Sequence, residues 1–304
     1  MDVSLSSSSS EDGAAAPVRP SGSITRKQLK GKIQSGVQEW VDDYWKEKIG
    51  LYVMQGDYLA LIMEERECIT WKSFLWDVPQ GVLFAINAGM KKVEVKRWGK
   101  RVNDRCPFCG NIQTLLHVLS GCSVSLDQGR YTWRHNSVLL SIIEFIRPVL
   151  ADGFVLFSDM PGFQAPHGGV IPPDILVTTL KPDLFLVNAS LSVIVFFELT
   201  CPWDDNILRS HEFKDRKYAP LIADLSRNFR VHNYSVEISV RGQVSKQNRA
   251  RLKSFLFNCC TLPGNSVKRL IRICSKAALL SSYSIFGARK EPSWMSPNPL
   301  VVRD

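Results

Sequence analysis

The clearest change in hydrophobic periodicity lies between residues 181 and 218. Two apolar, β-rich runs, Leu184 to Asn188 and Ser192 to Thr200, flank a short polar break at 188–190. This pattern predicts a β-hairpin. After Pro202, which ends the strand pattern, apolar positions return at helical spacing from about Ile207. The stretch therefore predicts a hairpin followed by a helix.

The rest of the chain adds helices and a few further strands. Helical periodicity covers 25–49, 52–65, 79–88, 137–150, 245–257 and 266–282, and strand-like runs cover 154–157, 175–178 and 231–240. The order helix, hairpin, helix, strand, helix predicts an α/β fold, a sandwich around a small mixed sheet flanked by helices.

Composition divides the chain into five parts. Residues 1–22 lack apolar periodicity, so we expect them to form a disordered tail. Residues 289–304 are rich in proline, and we expect them to form a loose tail. Between them we expect a helical, linker-like region over 23–105, a cysteine-rich segment with the following Arg-His-Asn motif over 106–136, and the α/β domain over 137–288.

The predicted hairpin brings two acids together. Its turn is centred just after Ser190, so Asp183 and Glu198 lie almost equally far from it and oppose each other. Directly opposed residues have Cβ atoms about 5 Å apart, and bare like charges there repel. The pair therefore needs a cation between the carboxylates, or one carboxyl group must keep its proton.

The helix after the hairpin directs a lysine towards these acids. Ile207, His211, Lys214 and Tyr218 share one helical face, with Lys217 at its edge. Two acids and an inward lysine suit hydrolysis assisted by a hard metal ion. The alternative is a surface hairpin with solvated acids and lysines. Glu198 argues against it, because an isolated carboxylate in an apolar strand is costly.

A second chemical motif lies upstream. Cys106, Cys109, His117 and Cys122 form a C-x2-C-x7-H-x4-C pattern. Three thiolates and one imidazole at this spacing predict a closed, structural zinc site, with free buried cysteines as the alternative. Such a site offers no open coordination position, so we assign it no catalytic role.

Charge points to a polyanionic partner. The net charge is +9, which favours nucleic acid over an acidic membrane surface. Basic residues cluster around Trp98, where Lys96, Arg97, Lys100 and Arg101 suit a phosphate backbone. A solvated basic loop is the alternative. Arg134 and His135 are further candidates for nucleic-acid binding. His135 either binds phosphate or has a purely structural role.

Cysteine usage and hydropathy indicate the cellular compartment in which we expect the protein. Eight cysteines, irregularly spaced and with no signal peptide before them, favour a reducing compartment, the nucleus or the cytoplasm. The longest apolar runs fall short of the roughly 18 residues that a membrane span needs. We therefore expect a soluble protein with no membrane partner.

Several motifs in sequence order resemble a known family. They are Trp98-Gly99-Lys100-Arg101, the four Cys/His positions, Arg134-His135-Asn136, Lys181-Pro182-Asp183, Glu198-Leu199-Thr200, and Lys214 with Lys217-Tyr218. Together they resemble the C-terminal region of non-LTR retrotransposon polyproteins, which carries a zinc knuckle and a restriction-like endonuclease. The resemblance covers residues from about 73 to about 255.

The resemblance implies a PD-(D/E)-x-K-like fold and the nicking of target DNA. Asp183 and Glu198 would then bind Mg²⁺, with the Leu199 carbonyl as a third ligand. Lys214 would position or activate the attacking water, and Lys217 and Tyr218 would contact the scissile phosphate.

This sequence departs from the pattern in three respects. The seven-residue gap between Cys109 and His117 is longer than that of retroviral knuckles, which bears on the knuckle's preference for single strands. Thr200 stands where the general nuclease motif has a lysine, which the family moves onto the helix, and no reverse transcriptase precedes the region. Two hypotheses follow: an Mg²⁺-dependent DNA endonuclease, or a catalytically silent nucleic-acid-binding remnant. DNA is the expected partner and RNA the alternative. A purely structural fragment is the third hypothesis.

Overall fold

The computed structural model describes residues 25–49, 105–262 and 266–303. The predicted helices at 52–65 and 79–88 and the basic residues 91–104 lie outside these ranges. The chain divides into two compact units, Met1–Leu51 and Tyr52–Asp304. In the first unit, helix α1 spans Arg26–Ile49 as predicted. The Thr25 hydroxyl accepts a hydrogen bond from the Gln28 amide (3.3 Å), and the Gln28 side chain accepts one from the Thr25 amide (2.9 Å), a reciprocal cap at the helix start.

The second unit is built on one mixed sheet. Its strands are β1 (Val155–Ser158), β2 (Leu184–Asn188), β3 (Val193–Thr200) and β4 (Arg230–Glu237), in that spatial order. The β1–β2 and β2–β3 pairs are antiparallel and the β3–β4 pair is parallel. Leu184 pairs with Phe197, so the predicted hairpin and its register are confirmed.

Helices cover both faces of this sheet. They are α3 (Arg130–Ile146), α4 (Ile207–Leu225), α5 (Lys246–Cys259) and α6 (Ser266–Gly287). The short helix α2 (Ser123–Asp127) precedes α3 and packs against it. Helices α3, α5 and α6 share one core with residues such as Leu186, Val195 and Val236. Helix α4 is the crossover between the parallel strands and packs on the opposite face, against residues such as Phe185 and Phe196. Burial on both faces explains why β3 is apolar at nearly every position.

The coarse prediction of a mixed α/β fold with a small sheet is confirmed. Two details of it are wrong. Helix α3 begins at Arg130 rather than 137, so the predicted boundary at 136/137 falls inside a helix. The run 175–178 is not a strand, because Pro172 and Pro173 start a turn in which the Ile175 and Leu176 amides both donate to the Pro172 carbonyl.

The C-terminal tail also differs from the prediction of a loose segment. Its backbone lies along α3, where the Leu300 amide donates to the Ser137 hydroxyl (3.0 Å) and the Val302 amide donates to the Ser141 hydroxyl (3.1 Å). The Trp133 indole donates to the Asn298 carbonyl (3.2 Å). Prolines exclude helix and sheet from this tail, but they leave its remaining amides free to bond to side chains. Within the described ranges, no helix combines the length and apolarity that crossing a bilayer requires.

Candidate functional site

The four predicted cysteine and histidine ligands converge in the structure. Their ligand atoms all lie within 4.8 Å of one another. The Cys106 and Cys122 sulfurs are 3.9 Å apart, as are the Cys109 and Cys122 sulfurs, and the Cys109 sulfur is 3.2 Å from His117 Nε2. Two sulfurs bound tetrahedrally at about 2.3 Å from one zinc ion are about 3.8 Å apart. The cluster is therefore compatible with zinc.

Local backbone geometry brings these ligands together. Gly110 has a φ of +76°, which lets the chain turn so that the Gly110 amide donates to the Cys106 carbonyl (2.9 Å). His117 opens a short π-helix, His117–Gly121, and its amide donates to the Thr114 hydroxyl (3.1 Å). Cys122 is the N-cap residue, immediately before α2 begins. Turn, π-helix and helix start thus each fix part of the cluster.

Helix α3 fastens this cluster to the sheet. The Tyr131 hydroxyl accepts a hydrogen bond from the Cys122 amide (3.1 Å) and donates within the π-helix, 3.0 Å from the Val118 carbonyl. One turn later, the Arg134 guanidinium donates to the Leu119 carbonyl (2.9 Å) and to the Cys201 carbonyl just after β3 (3.3 Å). The first turns of α3 therefore contact both the cluster and the end of β3.

The two predicted acids oppose each other at the end of the hairpin. Asp183 immediately precedes β2 and Glu198 lies in β3, one pair beyond Leu184 and Phe197. The Asp183 amide donates to Glu198 Oε1 (3.2 Å), and the Leu199 amide donates to Asp183 Oδ2 (2.7 Å). The carboxyl groups thus lie on one side of the sheet, next to each other.

Lys214 reaches both acids from α4. Its Nζ lies 2.5 Å from Glu198 Oε2 and 3.5 Å from Asp183 Oδ2. Only 15% of the Lys214 side chain and 1% of the Glu198 side chain are exposed. Burial alone would lower the pKa of Lys214, but the two carboxylates raise it above its usual value. The ammonium therefore stays charged and neutralises part of the acid pair.

The two acids differ in their electrostatics. Burial raises the pKa of Glu198 to about 7, and repulsion from Asp183 adds to this effect. Burial acts to raise the pKa of Asp183, but the charge and hydrogen bond of His135, the charge of Lys214 and the Leu199 amide together hold that pKa below its usual range. One carboxyl group is therefore firmly ionised, while its neighbour titrates near neutrality.

His135 is a direct neighbour of the acids. Its Nε2 lies 3.3 Å from Asp183 Oδ2 and 3.2 Å from the Leu199 carbonyl oxygen. Burial acts to lower the pKa of His135, but the Asp183 carboxylate and the hydrogen bond to Asn136 together raise it above its usual value. Sequence reasoning offered His135 only as a phosphate contact or a structural residue. Its contact with Asp183 depends on α3 crossing the hairpin end, which no local pattern indicates.

The other candidates lie in more varied positions. Lys96, Arg97, Lys100 and Arg101 fall outside the described residues. Arg134 was predicted to bind nucleic acid, but it is 2% exposed, and its Nη1 and Nη2 atoms donate to the Leu119 and Cys201 carbonyls. Its contacts in the structure are therefore internal.

The last two predicted residues lie beside the acid pair. Tyr218 is 1% exposed, and its hydroxyl donates to the Lys181 carbonyl (2.8 Å). The Lys217 ammonium donates to the Tyr218 hydroxyl (3.1 Å) and its side chain is exposed. Of these two residues, only Lys217 has a side chain exposed to solvent.

A second polar network, which sequence reasoning missed, lies on the same sheet face. Glu237 ends β4 and is 1% exposed. His211 Nδ1 lies 3.1 Å from Glu237 Oε1, and Arg251 Nη1 lies 3.4 Å from Glu237 Oε2. Ser235, which pairs with Glu198 in register, donates its hydroxyl to Asp215 (2.6 Å). Polar side chains thus continue from the acid pair across β4.

Comparison with known proteins adds no relative to this picture. Neither the models of protein families nor the curated proteins give a match to this chain. The function of the chain is therefore inferred from the geometry of its two sites and the chemistry of their side chains.

Proposed function

We propose that the chain is an Mg²⁺-dependent DNA endonuclease of the restriction-like type, derived from a non-LTR retrotransposon and carrying a structural zinc knuckle. The observation that carries this proposal is the convergence of Asp183, Glu198 and Lys214 at one end of the hairpin. A buried acid pair with an inward lysine is costly for stability alone, and such perturbed groups mark functional sites.

The donor chemistry fits a hard divalent cation. Asp183 and Glu198 offer carboxylate oxygens, which Mg²⁺ prefers, and the acid pair itself includes no sulfur ligand. The 15% exposure of the Asp183 side chain gives access from solvent. Asp183 and Glu198 would hold the ion, which when bound supplies charge for the phosphate oxygens and acidifies water.

The chain's own residues would perform the remaining tasks. His135 fixes the Asp183 carboxylate from the side of α3, and the Leu199 amide fixes it from the strand. Lys214 orients the attacking water beside the acids. Lys217 binds the scissile phosphate, while buried Tyr218 anchors Lys217 and the loop at Lys181.

A zinc ion in the Cys106/Cys109/His117/Cys122 cluster would act at a distance. Its thiolate and imidazole ligands fill four positions, so the ion would stabilise the fold and take no part in hydrolysis. Through Tyr131 and Arg134 it would also hold the helix that carries His135.

One observation favours the second candidate, a silent nucleic-acid-binding remnant. The acids are already bonded to two backbone amides and to Lys214, which also suits a purely structural polar cluster. Under this alternative, the chain would bind DNA through its positive charge alone, with a steep salt dependence.

Nicking of supercoiled plasmid separates the two candidates. We expect the purified full chain to nick in Mg²⁺ and not without it, and Asp183→Ala to lose nicking. Asp174→Ala is the matched control, because Asp174 also follows a proline but is exposed outside the site. Equal nicking by the parent and Asp183→Ala would refute the endonuclease proposal.

A further inference from the structure

A stripe of exposed side chains follows α4 next to the acid pair. Arg209, Phe213 and Lys217 are spaced four residues apart, so they lie along one side of the helix and span about 12 Å of its axis. Phe213 is 61% exposed, although it immediately precedes the buried Lys214. An aromatic ring held in solvent between two cations, one residue from the candidate catalytic lysine, has no role in the core.

The stripe borders a groove of about 480 Å³ that leads to Lys214. The end of β3 and the following turn form one wall, with Thr200 and Trp203 among its residues. Helix α4 forms the other wall with Arg209, Phe213 and Lys214. A chain segment lying in this groove would pass from the exposed stripe to Lys214, whose ammonium contacts both acids.

Charge along the stripe favours a polyanion. Within the described part of the chain, no hydrogen bond or ion pair occupies Arg209, and its side chain is exposed. The acids of the same helix lie elsewhere. Asp215 turns towards β4, where it accepts from Ser235, and Glu212 lies about 60° around the helix from Arg209, on the side away from the groove.

We infer that the Arg209–Phe213–Lys217 stripe binds the DNA strand next to the scissile phosphate and stacks an unpaired base on Phe213. Lysine and arginine side chains follow a phosphate backbone, and an exposed aromatic ring binds a base only when that base is unstacked. The inference deepens the proposed function, on which it rests. It assigns as substrate DNA that is single-stranded or locally opened beside the nick.

Binding assays test this inference separately from cleavage. The background is the chain carrying Asp183→Ala, which prevents nicking during the measurement. The probes are a fluorescent DNA duplex with a short unpaired stretch, the same duplex fully paired, and an RNA of the same sequence as the unpaired strand. The test variant is Phe213→Ala, with Phe213→Trp as the rescue. The control is Phe257→Ala, which removes a ring that is 86% exposed on α5.

We expect Phe213→Ala to weaken binding of the opened duplex about tenfold, in the range of one lost base stack. Binding of the paired duplex should change less than twofold, Phe213→Trp should restore affinity, and Phe257→Ala should match the parent. Arg209→Gln should lower the salt slope of binding by about one.

Three outcomes would overturn the inference. They are equal affinities of Phe213→Ala and Phe257→Ala for the opened duplex, equal losses on both duplexes, and tighter Phe213-dependent binding of RNA than of DNA. Failure of the proposed function looks different. If Phe213-dependent binding is present but the parent does not nick plasmid, only the endonuclease proposal falls.

Discussion

The cysteine cluster and the acid pair are built in opposite ways. All four candidate zinc ligands come from one short segment, Cys106 to Cys122, closed by its own turns. The acid site draws His135 from α3, Asp183 and Glu198 from the hairpin, and Lys214 from α4. The first site depends on local geometry and the second on the packing of the whole domain. Helix α3 is the element that contacts both.

Removing a zinc ligand should have the largest effect. For Cys109→Ser we expect a loss of bound zinc and a destabilisation on the order of 4 kcal/mol, which lowers Tm by roughly 8–16 °C. Zinc content by atomic absorption and Tm by calorimetry measure it. Cys260→Ser, outside the cluster, should keep both values. Unchanged zinc content in Cys109→Ser would contradict the assignment of this ligand.

Breaking the connection between the sites should come next. Arg134→Lys leaves buried carbonyls at Leu119 or Cys201 unpaired, at a cost of about 3 kcal/mol. We expect weaker zinc retention against a chelator and slower nicking in the same variant. The exposed Arg227→Lys is the control. If Arg134→Lys lowers Tm while zinc retention and nicking stay at parental values, α3 does not couple the sites.

Changing the lysine while keeping its charge should separate chemistry from stability. Lys214→Arg preserves a cation beside Glu198, but its planar, bulkier guanidinium cannot take the same position. We expect nicking to fall about a hundredfold, or about 2.7 kcal/mol, with zinc content and Tm close to those of the parent. Lys253→Arg on α5 serves as the control. Parental nicking rates in Lys214→Arg would remove Lys214 from the mechanism.

The smallest effect concerns the stability that Glu237 contributes. Burial raises the pKa of Glu237, although His211 on α4 and Arg251 and Asn248 on α5 act to lower it. Its folded pKa exceeds its unfolded pKa, so the stability it contributes is present at low pH and lost as pH rises through the folded value. In Glu237→Gln this loss is absent. The difference in unfolding free energy, variant minus parent, should therefore increase from pH 4 to pH 7 in urea titrations. A flat difference would show that the pKa of Glu237 does not change on folding, and a falling one that the folded state favours its ionised form.

Sequence patterns predicted the features that depend on local spacing. The hairpin register followed from a turn position and a period of two, and the cysteine cluster followed from ligand spacing. Helical periodicity predicted that Lys214 points towards the acids, and in the structure its ammonium contacts Glu198.

Features that depend on distant packing were missed. The burial of Arg134 is decided by carbonyls at Leu119 and Cys201, which are far from it in sequence. The tail looked loose because its bonding partners, Trp133, Ser137 and Ser141, lie on another element. Likewise, only the crossing of α3 over the hairpin brings His135 to Asp183.

Tyr131, Arg134 and His135 lie on one rigid helix. Their spacing in the sequence therefore fixes where their side chains lie relative to one another. Each residue turns an α-helix by about 100° and advances it about 1.5 Å. A single-residue insertion between Tyr131 and Arg134 would therefore swing the imidazole away from Asp183 while the tyrosine kept its bond to Cys122. For this short segment, an insertion or deletion would break these contacts as surely as replacing one of the three residues.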